Sequence, residues 1–407
     1  DFRSLAERLI RLVPDRLGYD DIGNWRDSWS ALGGGKYPAD INTILASESL
    51  SALATFRDLG VQKLGWNLAE RAAALGHDSV RDLLADADRL QQARNAWSRA
   101  VDLFEVHLDL NEVRKRLARY LGRGDLPAEE VAALRRRDLN GVTVEDFLAG
   151  RDVPTWWTGN LSFTAISLRE DGEPVPLMHS DEVYALLDRD LESSELNRIL
   201  DTLMRPYPLG LMSEAGLLIT NPAYFEHEAL RDQLTRDDYH GTVIWGWPMR
   251  ALILGLARQV RAAATSADRA RTMEALTRCM EIMQRVGGLG RSEAWTWNMD
   301  EDGRMRIRPM KEEKGQPAVP VQLWSMSAKE LDPVVQEAWR RVRGEGPEHA
   351  ADRLPSPLPV RLQAALRPLV WIEEGLLHLG ALALVNRVRA WAGLDPIAVA
   401  DVAGPRD

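Results

Sequence analysis

The chain has 407 residues, 45% apolar and 28% charged, an ordinary balance for burying a sizeable core. Its net charge of −10 argues against nucleic acid or an anionic membrane as the main partner, and no apolar run reaches the roughly 18 residues of a membrane span. A single cysteine, Cys279, excludes a disulfide framework and a cysteine-rich zinc site.

Helical periodicity dominates from the N-terminus onward. Helices are expected over 40–57, 80–108, 110–121, 127–137, 144–148, 181–191, 194–204, 223–234, 248–264, 267–286, 329–342, 360–366 and 370–392. Two kinds alternate. The 80–108 and 267–286 stretches are amphipathic, whereas MRALILGLARQV and WIEEGLLHLGALALV are apolar nearly all round and must be surrounded by other helices. The expected architecture is all-α, one domain over 1–407, with an inner ring of helices inside an outer ring. Its loops gather at one end, where a pocket forms. The region 298–322 is expected to be a long loop that shapes or covers a site. The chain starts at Asp1 rather than Met, so a leader or further domain is expected to precede it. Bacterial periplasm and cytoplasm both stay open, and oligomeric state is not legible.

Tryptophan is the compositional anomaly, 14 against 7 Tyr and 6 Phe. It concentrates beside Gly, carboxylates and amides in 239–250 (YHGTVIWGWPMR), 292–297 (SEAWTW) and 321–328 (VQLWSMSA). Flat aromatic faces with polar neighbours suit a sugar ring, apolar on its faces and hydroxylated around its rim. An oligosaccharide is therefore the expected partner, with no metal and no cofactor.

Candidate ligand-binding residues follow in chain order. Trp25, Arg26 and Asp27 offer a platform, a forked donor and a carboxylate, while Gly33, Gly34 and Gly35 allow either close ligand approach or a turn before the next helix. His179 precedes Asp181 and Glu182, acids that serve either a site or the first turn of a helix. Glu214 and Asn221 are the polar groups of a Gly- and Pro-punctuated segment. Tyr239, His240, Trp245 and Trp247 lead into a buried helix, with His240 either a core histidine or a cleft residue. Glu293 follows a glycine cluster and precedes Trp295. It reads either as a capping acid or as a carboxyl walled by aromatics and tuned for proton transfer. Gln322 and Trp324 complete the set. With no HExxH, CxxC or GxSxG, the chemistry left is that of two carboxylates.

The segments TGNLSF…GEPVPLMHSDEVYALL, PLGLMSEAGLLITNPAY, YHGTVIWGWPMRAL and SEAWTW…VQLWSMSA, in this order, resemble the (α/α)6-barrel glycosidases, as does WRDSW near the start. The likeness covers about 17–328 and is strongest to bacterial glycogen-debranching-type α-glucosidases, whose architecture glucoamylase, trehalase and processing-glucosidase relatives share. It implies a toroid of about twelve helices, an inverting mechanism, and a general base at Glu293. Where the debranching-type motif reads Leu-Thr-Trp-Met-Asp, this chain has Leu161, Ser162, Phe163, Thr164 and Ala165. Ala165 cannot donate a proton, so the expected acid moves to Asp181, with Glu182, Glu214 and Asp27 behind it.

Three readings stand at this point. The first is an inverting glycoside hydrolase on a glucose-type oligosaccharide or glucoside, with Asp181 as acid and Glu293 as base. The second is a carbohydrate-binding or accessory protein that lost its acid. The third is a polysaccharide lyase or sugar epimerase on the same toroid, using Tyr239 and His240.

Overall fold

The computed structural model describes residues 24–310, except Asp27, 60–66, 75–77, 123–125, Thr158 and 301–303, together with 335–336, 338–340 and 342–343. The described residues up to Ile44 and from Ser98 onward form one compact unit, and those from Leu45 to Trp97 belong to a second. The second unit contributes helices Ala46–Leu59, Leu68–Ala74, Asp78–Ala85 and Ala87–Trp97.

Among the described residues, four small antiparallel sheets lie between the helices. That finding overturns the expected all-α double ring of about twelve helices. The strands are β1 (Tyr37–Pro38), β2 (Glu105–Leu108), β3 (Leu161–Thr164), β4 (Ser167–Leu168), β5 (Pro174–Val175), β6 (Met178–His179), β7 (Thr220–Asn221), β8 (Ile244–Trp245), β9 (Ala294–Met299) and β10 (Met305–Pro309). Most are too short for periodicity to reveal, and pairing with a distant segment is what makes them strands. Strand β2 shows it: Val106 and Leu108 turn inward while His107 faces out, and Val106 pairs with Phe163 of β3.

The long helix expected over 80–108 breaks for a local reason. The carboxylate of Asp86 accepts from the backbone N–H groups of Asp88 and Arg89, both at 3.0 Å, so it caps a new helix at Ala87. The expected helix 223–234 shrinks to Glu228–Arg231 after a 3-10 turn at Pro222–Tyr224. The expected loop 298–322 begins instead as a hairpin, in which β9 and β10 pair Trp297 with Ile307 and Trp295 with Pro309. The helices expected over 360–366 and 370–392 lie outside the described residues, as does most of 329–342.

Other expectations hold. Helix Gly246–Ala262 is buried on almost every side, in keeping with its apolar circumference. Its Gln259 side chain donates to the carbonyls of Leu186 and Arg189 at 2.8 and 2.7 Å, which satisfies the end of helix Val183–Asp188. Helix Ser266–Val286 starts at the Thr265 cap, whose hydroxyl accepts from Asp268 N–H at 3.0 Å. Within that helix Cys279 is fully buried, and burial pushes its thiol up to about 12. Among the described residues, no helix is long and apolar enough to cross a membrane.

The N-terminal glycines serve packing. A Cβ on Gly35 would lie 1.8 Å from the Ser167 hydroxyl, so this backbone runs tight against β4. This close approach leads the chain through β1, which pairs with β4, to Asp40.

Candidate functional site

Arg26 is the hub. Its side chain is completely buried, and its Nη2 and Nε donate to the two carboxylate oxygens of Asp181 at 2.7 and 3.2 Å. Nη1 donates to Thr220 Oγ1 and Nη2 to the Ile219 carbonyl, each at 3.0 Å. The fork of a guanidinium matches a carboxylate edge-on, the strongest geometry such a pair has. Burial acts to raise the pKa of Asp181, but the charges and hydrogen bonds of Arg26 and His179 together outweigh it and hold the carboxyl well below the usual range. Asp181 is thus the anchor of Arg26 and carries no proton to give at neutral pH, contrary to the role expected for it.

A second buried carboxyl, Asp40, feels the charges of Asp181 and Arg26. Asp40 opens a π-helix, Asp40–Leu45, and is buried. Asn24 Nδ2 donates to its two oxygens at 2.9 and 3.1 Å, while Asn24 Oδ1 accepts from the Arg26 backbone N–H at 3.0 Å. Burial, reinforced by the negative charge of Asp181, raises Asp40 to about 7.

His179 lies on β6, fully buried beside Asp181. Its Nδ1 accepts from the Asp181 backbone N–H at 3.2 Å and lies 3.3 Å from Asp181 Oδ2. The two contacts demand opposite roles of one nitrogen. The peptide plane fixes the backbone proton, so Nδ1 is the acceptor. Nε2 has no hydrogen-bond partner.

On its other side Arg26 stacks over the Trp25 ring, 4.4 Å from the centroid, and this opens an aromatic cluster. Trp25 meets His240, Trp245 and Trp247 edge-on at 5.9, 5.4 and 5.1 Å. His240 stacks on Trp245 at 5.2 Å, and Trp247 on Tyr184 at 5.4 Å. Burial, with Arg26 adding, lowers His240 to about 3, so the ring is neutral. Both of its nitrogens and Trp25 Nε1 are buried without a hydrogen-bond partner. Such atoms cost about 1–3 kcal/mol each, so a concentration of them marks a place where a ligand or water belongs.

Beyond the cluster, Tyr239 packs against Trp245 at 4.7 Å and donates its hydroxyl to Glu293 Oε1 at 2.5 Å. Glu293 is 1% exposed. Its backbone carbonyl accepts from Gly246 N–H at 2.7 Å, and β8 pairs with β9 in the register Trp245–Ala294. A Cβ on Gly246 would stand 2.8 Å from the Ser292 carbonyl, so glycine is what lets the helix start this close to Glu293. The two Trp-rich segments, distant in sequence, are neighbouring strands.

The expected site residues therefore separate. Trp25, Arg26, His179, Asp181, Tyr239, His240, Trp245, Trp247 and Glu293 join one chain of contacts. Trp295 is a neighbour in sequence but a core residue, its Nε1 donating to the Ala215 carbonyl at 2.8 Å. Asn221 is structural: its amide donates to the Pro208 and Gly210 carbonyls and its oxygen caps the turn at Ala223. Glu214, half-exposed, pairs with Arg137 and accepts from Met305 N–H at the edge of β10. Glu182 pairs with Arg198 and Thr164. Asp27, Gln322 and Trp324 lie outside the described residues. Sequence reasoning missed Asn24, Asp40, Thr220 and Tyr184. Asp40 read as the first acid of a helix, and only its confinement beside Asp181 distinguishes it.

Compared with protein-family models, curated proteins and solved structures, the chain matches none.

Proposed function

We propose that the chain is an inverting glycoside hydrolase acting on a glucose-type oligosaccharide or glucoside, with Glu293 as the base that activates water. The observation that carries this reading is the Glu293 carboxylate, withdrawn from solvent beside the Tyr239–Trp245 pair and held by the Tyr239 hydroxyl at 2.5 Å. A phenol donating to a carboxylate fixes the direction of its lone pairs, which a base needs. The unpartnered nitrogens of Trp25, His179 and His240 supply donors and acceptors for sugar hydroxyls, and the tryptophans supply faces for the ring. The resemblance of the motifs around Tyr239 and Glu293 to the (α/α)6 glycosidases supports the same assignment.

The test is a panel of α- and β-glucosidic oligosaccharides with the product anomer followed by NMR. Release of the inverted anomer is expected, together with a loss of about 10²–10⁴-fold in kcat for Glu293→Gln and retained sugar binding by calorimetry. Retention of configuration, or an unchanged rate in the variant, removes Glu293 from the chemistry.

One observation favours a second reading. Ala165, at the family's acid position, is buried with its N–H bound to the Phe104 carbonyl at 2.7 Å. A binding protein that lost its acid takes up sugar without releasing product from any glycan.

A further inference from the structure

Arg198, Arg236 and Arg271 are half-buried arginines that each meet a carboxylate, from Glu182, Glu130 and Asp201. Arg205 is half-buried too, yet among the described residues no carboxylate pairs with it. Its Nε donates to the Asp201 carbonyl at 3.2 Å, in the last turn of helix Ser193–Leu203, while the Asp201 carboxylate is held by Arg271 at 2.5 Å. The two terminal nitrogens of Arg205 meet no acceptor among the described residues and are not sealed from solvent. Its guanidinium carbon lies instead over two indoles, 5.4 Å from the centroid of Trp156 and 5.1 Å from that of Trp157. Trp157 leans on Phe147 at 5.4 Å, and Arg114 lies over Phe147 at 5.2 Å with its Nε on the Phe147 carbonyl. The acids of the neighbouring helix Val144–Leu148 are taken, Asp146 by Arg151 and Glu145 by Arg135. Burial, with Arg271 adding, lowers the pKa of Arg205, as expected of a charge drawn from water without compensation. Both indoles are half-buried, not enclosed, and their N–H groups donate to the Leu139 and Gly159 carbonyls. The rings are therefore fixed and offer apolar surface. A Cβ on Gly159 would meet nothing within 4 Å, so the space beside them is open.

We propose that Trp156, Trp157 and Arg205 form a second ligand site, one that takes a single carboxylate attached to a ring, as in a uronic acid. It shares no residue with the Arg26–Glu293 cluster and does not depend on the glycosidase reading. With Nε on the Asp201 carbonyl and the indoles beside it, the guanidinium has its two terminal nitrogens left for a ligand. Their spacing matches the two oxygens of a carboxylate. The apolar surface flanking that fork suits the face of a sugar ring carrying the carboxylate. A net charge of −10 repels a polyanion, so a lone carboxylate fits this protein better than a multiply charged chain. The opposing account is a structural tie, in which Arg205 pins the 151–160 segment to helix Ser193–Leu203 and binds nothing.

Glucuronate and glucose separate the two accounts, since they differ only in carrying a carboxylate or a hydroxymethyl group on the same ring. In calorimetry at pH 7, glucuronate should bind at least about tenfold more tightly than glucose. Acetate and phosphate, which bring an oxyanion without the ring, should also be at least about tenfold weaker than glucuronate. Arg205→Gln should lower glucuronate affinity by about 10–100-fold, and Arg205→Lys should not restore it, because an ammonium lacks the fork. A readout on the wild type guards against a variant that fails to fold. The indole N–H resonances of Trp156 and Trp157, assigned by their absence in Trp156→Phe and Trp157→Phe, should shift together along the glucuronate titration. Glucose binding as tightly as glucuronate removes the carboxylate from the recognition, and acetate or phosphate doing so removes the ring; either result overturns the proposal. An unchanged affinity in Arg205→Gln, indole signals that stay still, or no glucuronate binding at all leaves Arg205 as the tie and sinks the site.

Discussion

The Arg26 end and the Glu293 end of the cluster are almost equally withdrawn from solvent, yet different donors meet their carboxylates. At the first, a guanidinium and a carboxylate neutralise each other through two hydrogen bonds, and Arg26 donates further to Thr220 and to the Ile219 carbonyl. At the second, a carboxylate accepts from a phenol beside aromatic faces. A buried ion pair of the first kind anchors structure, because losing either member strands a charge. At the second end the phenol hydrogen bond to Oε1 fixes the direction in which the carboxylate points. Burial alone therefore does not tell two carboxylates apart; the donors that reach them do.

Breaking the anchored end should cost most. Asp181→Ala leaves Arg26 buried without its counter-charge, and urea unfolding should show a loss of about 3–5 kcal/mol. A loss below about 1 kcal/mol would mean that Arg26 finds another partner and the hub is not an anchor. At the other end, Tyr239→Phe removes one hydrogen bond to a charged group, and the same measurement should show about 1.5–3 kcal/mol.

The third test uses pH. Asp40 has its folded pKa raised from 3.8 to about 7, so its contribution to stability is present in full below 3.8 and is lost as pH rises through 7. Asp40→Asn lacks that loss. The variant should gain on the wild type between pH 4 and pH 8, and a constant difference across this range would show that Asp40 is ionised throughout.

The smallest effect is expected between the two ends. His240→Phe keeps the stack on Trp245 and removes two buried nitrogens that have no partner, so stability near neutrality should change by no more than about 1 kcal/mol. The wild type should also lose stability as pH falls from 6.5 toward 3, because only the unfolded chain takes up the proton. The variant should not show this loss, and a large drop at pH 7 would make His240 an ordinary core residue.

The helices were largely legible, because caps and periodicity act within a few residues: Thr265 and the apolar circumference of 246–262 announce themselves. The strands were not. Met178–His179 and Thr220–Asn221 are two residues each and exist through each other. The site shows the same divide. Tyr239, Trp245 and Glu293 stood out because aromatic residues beside a carboxyl are unusual in a loop. Asp40 did not, since an acid at the start of a helix is ordinary, and the burial and the Asp181 charge that raise its pKa come from segments distant in sequence. Asn221 and Trp295 looked functional for a related reason. A polar or indole side chain that satisfies backbone carbonyls resembles a ligand-binding one until its partners are seen.

Cys279, sealed in its helix, turns the protein into its own clock. A thiol-reactive dye added in excess cannot reach the sulfur, or find it as thiolate, until that helix opens. With one sulfhydryl per chain, the labelling rate at high dye concentration reads the opening rate of this region directly. Variants around Arg26 and Glu293 can then be ranked by how long each stays shut.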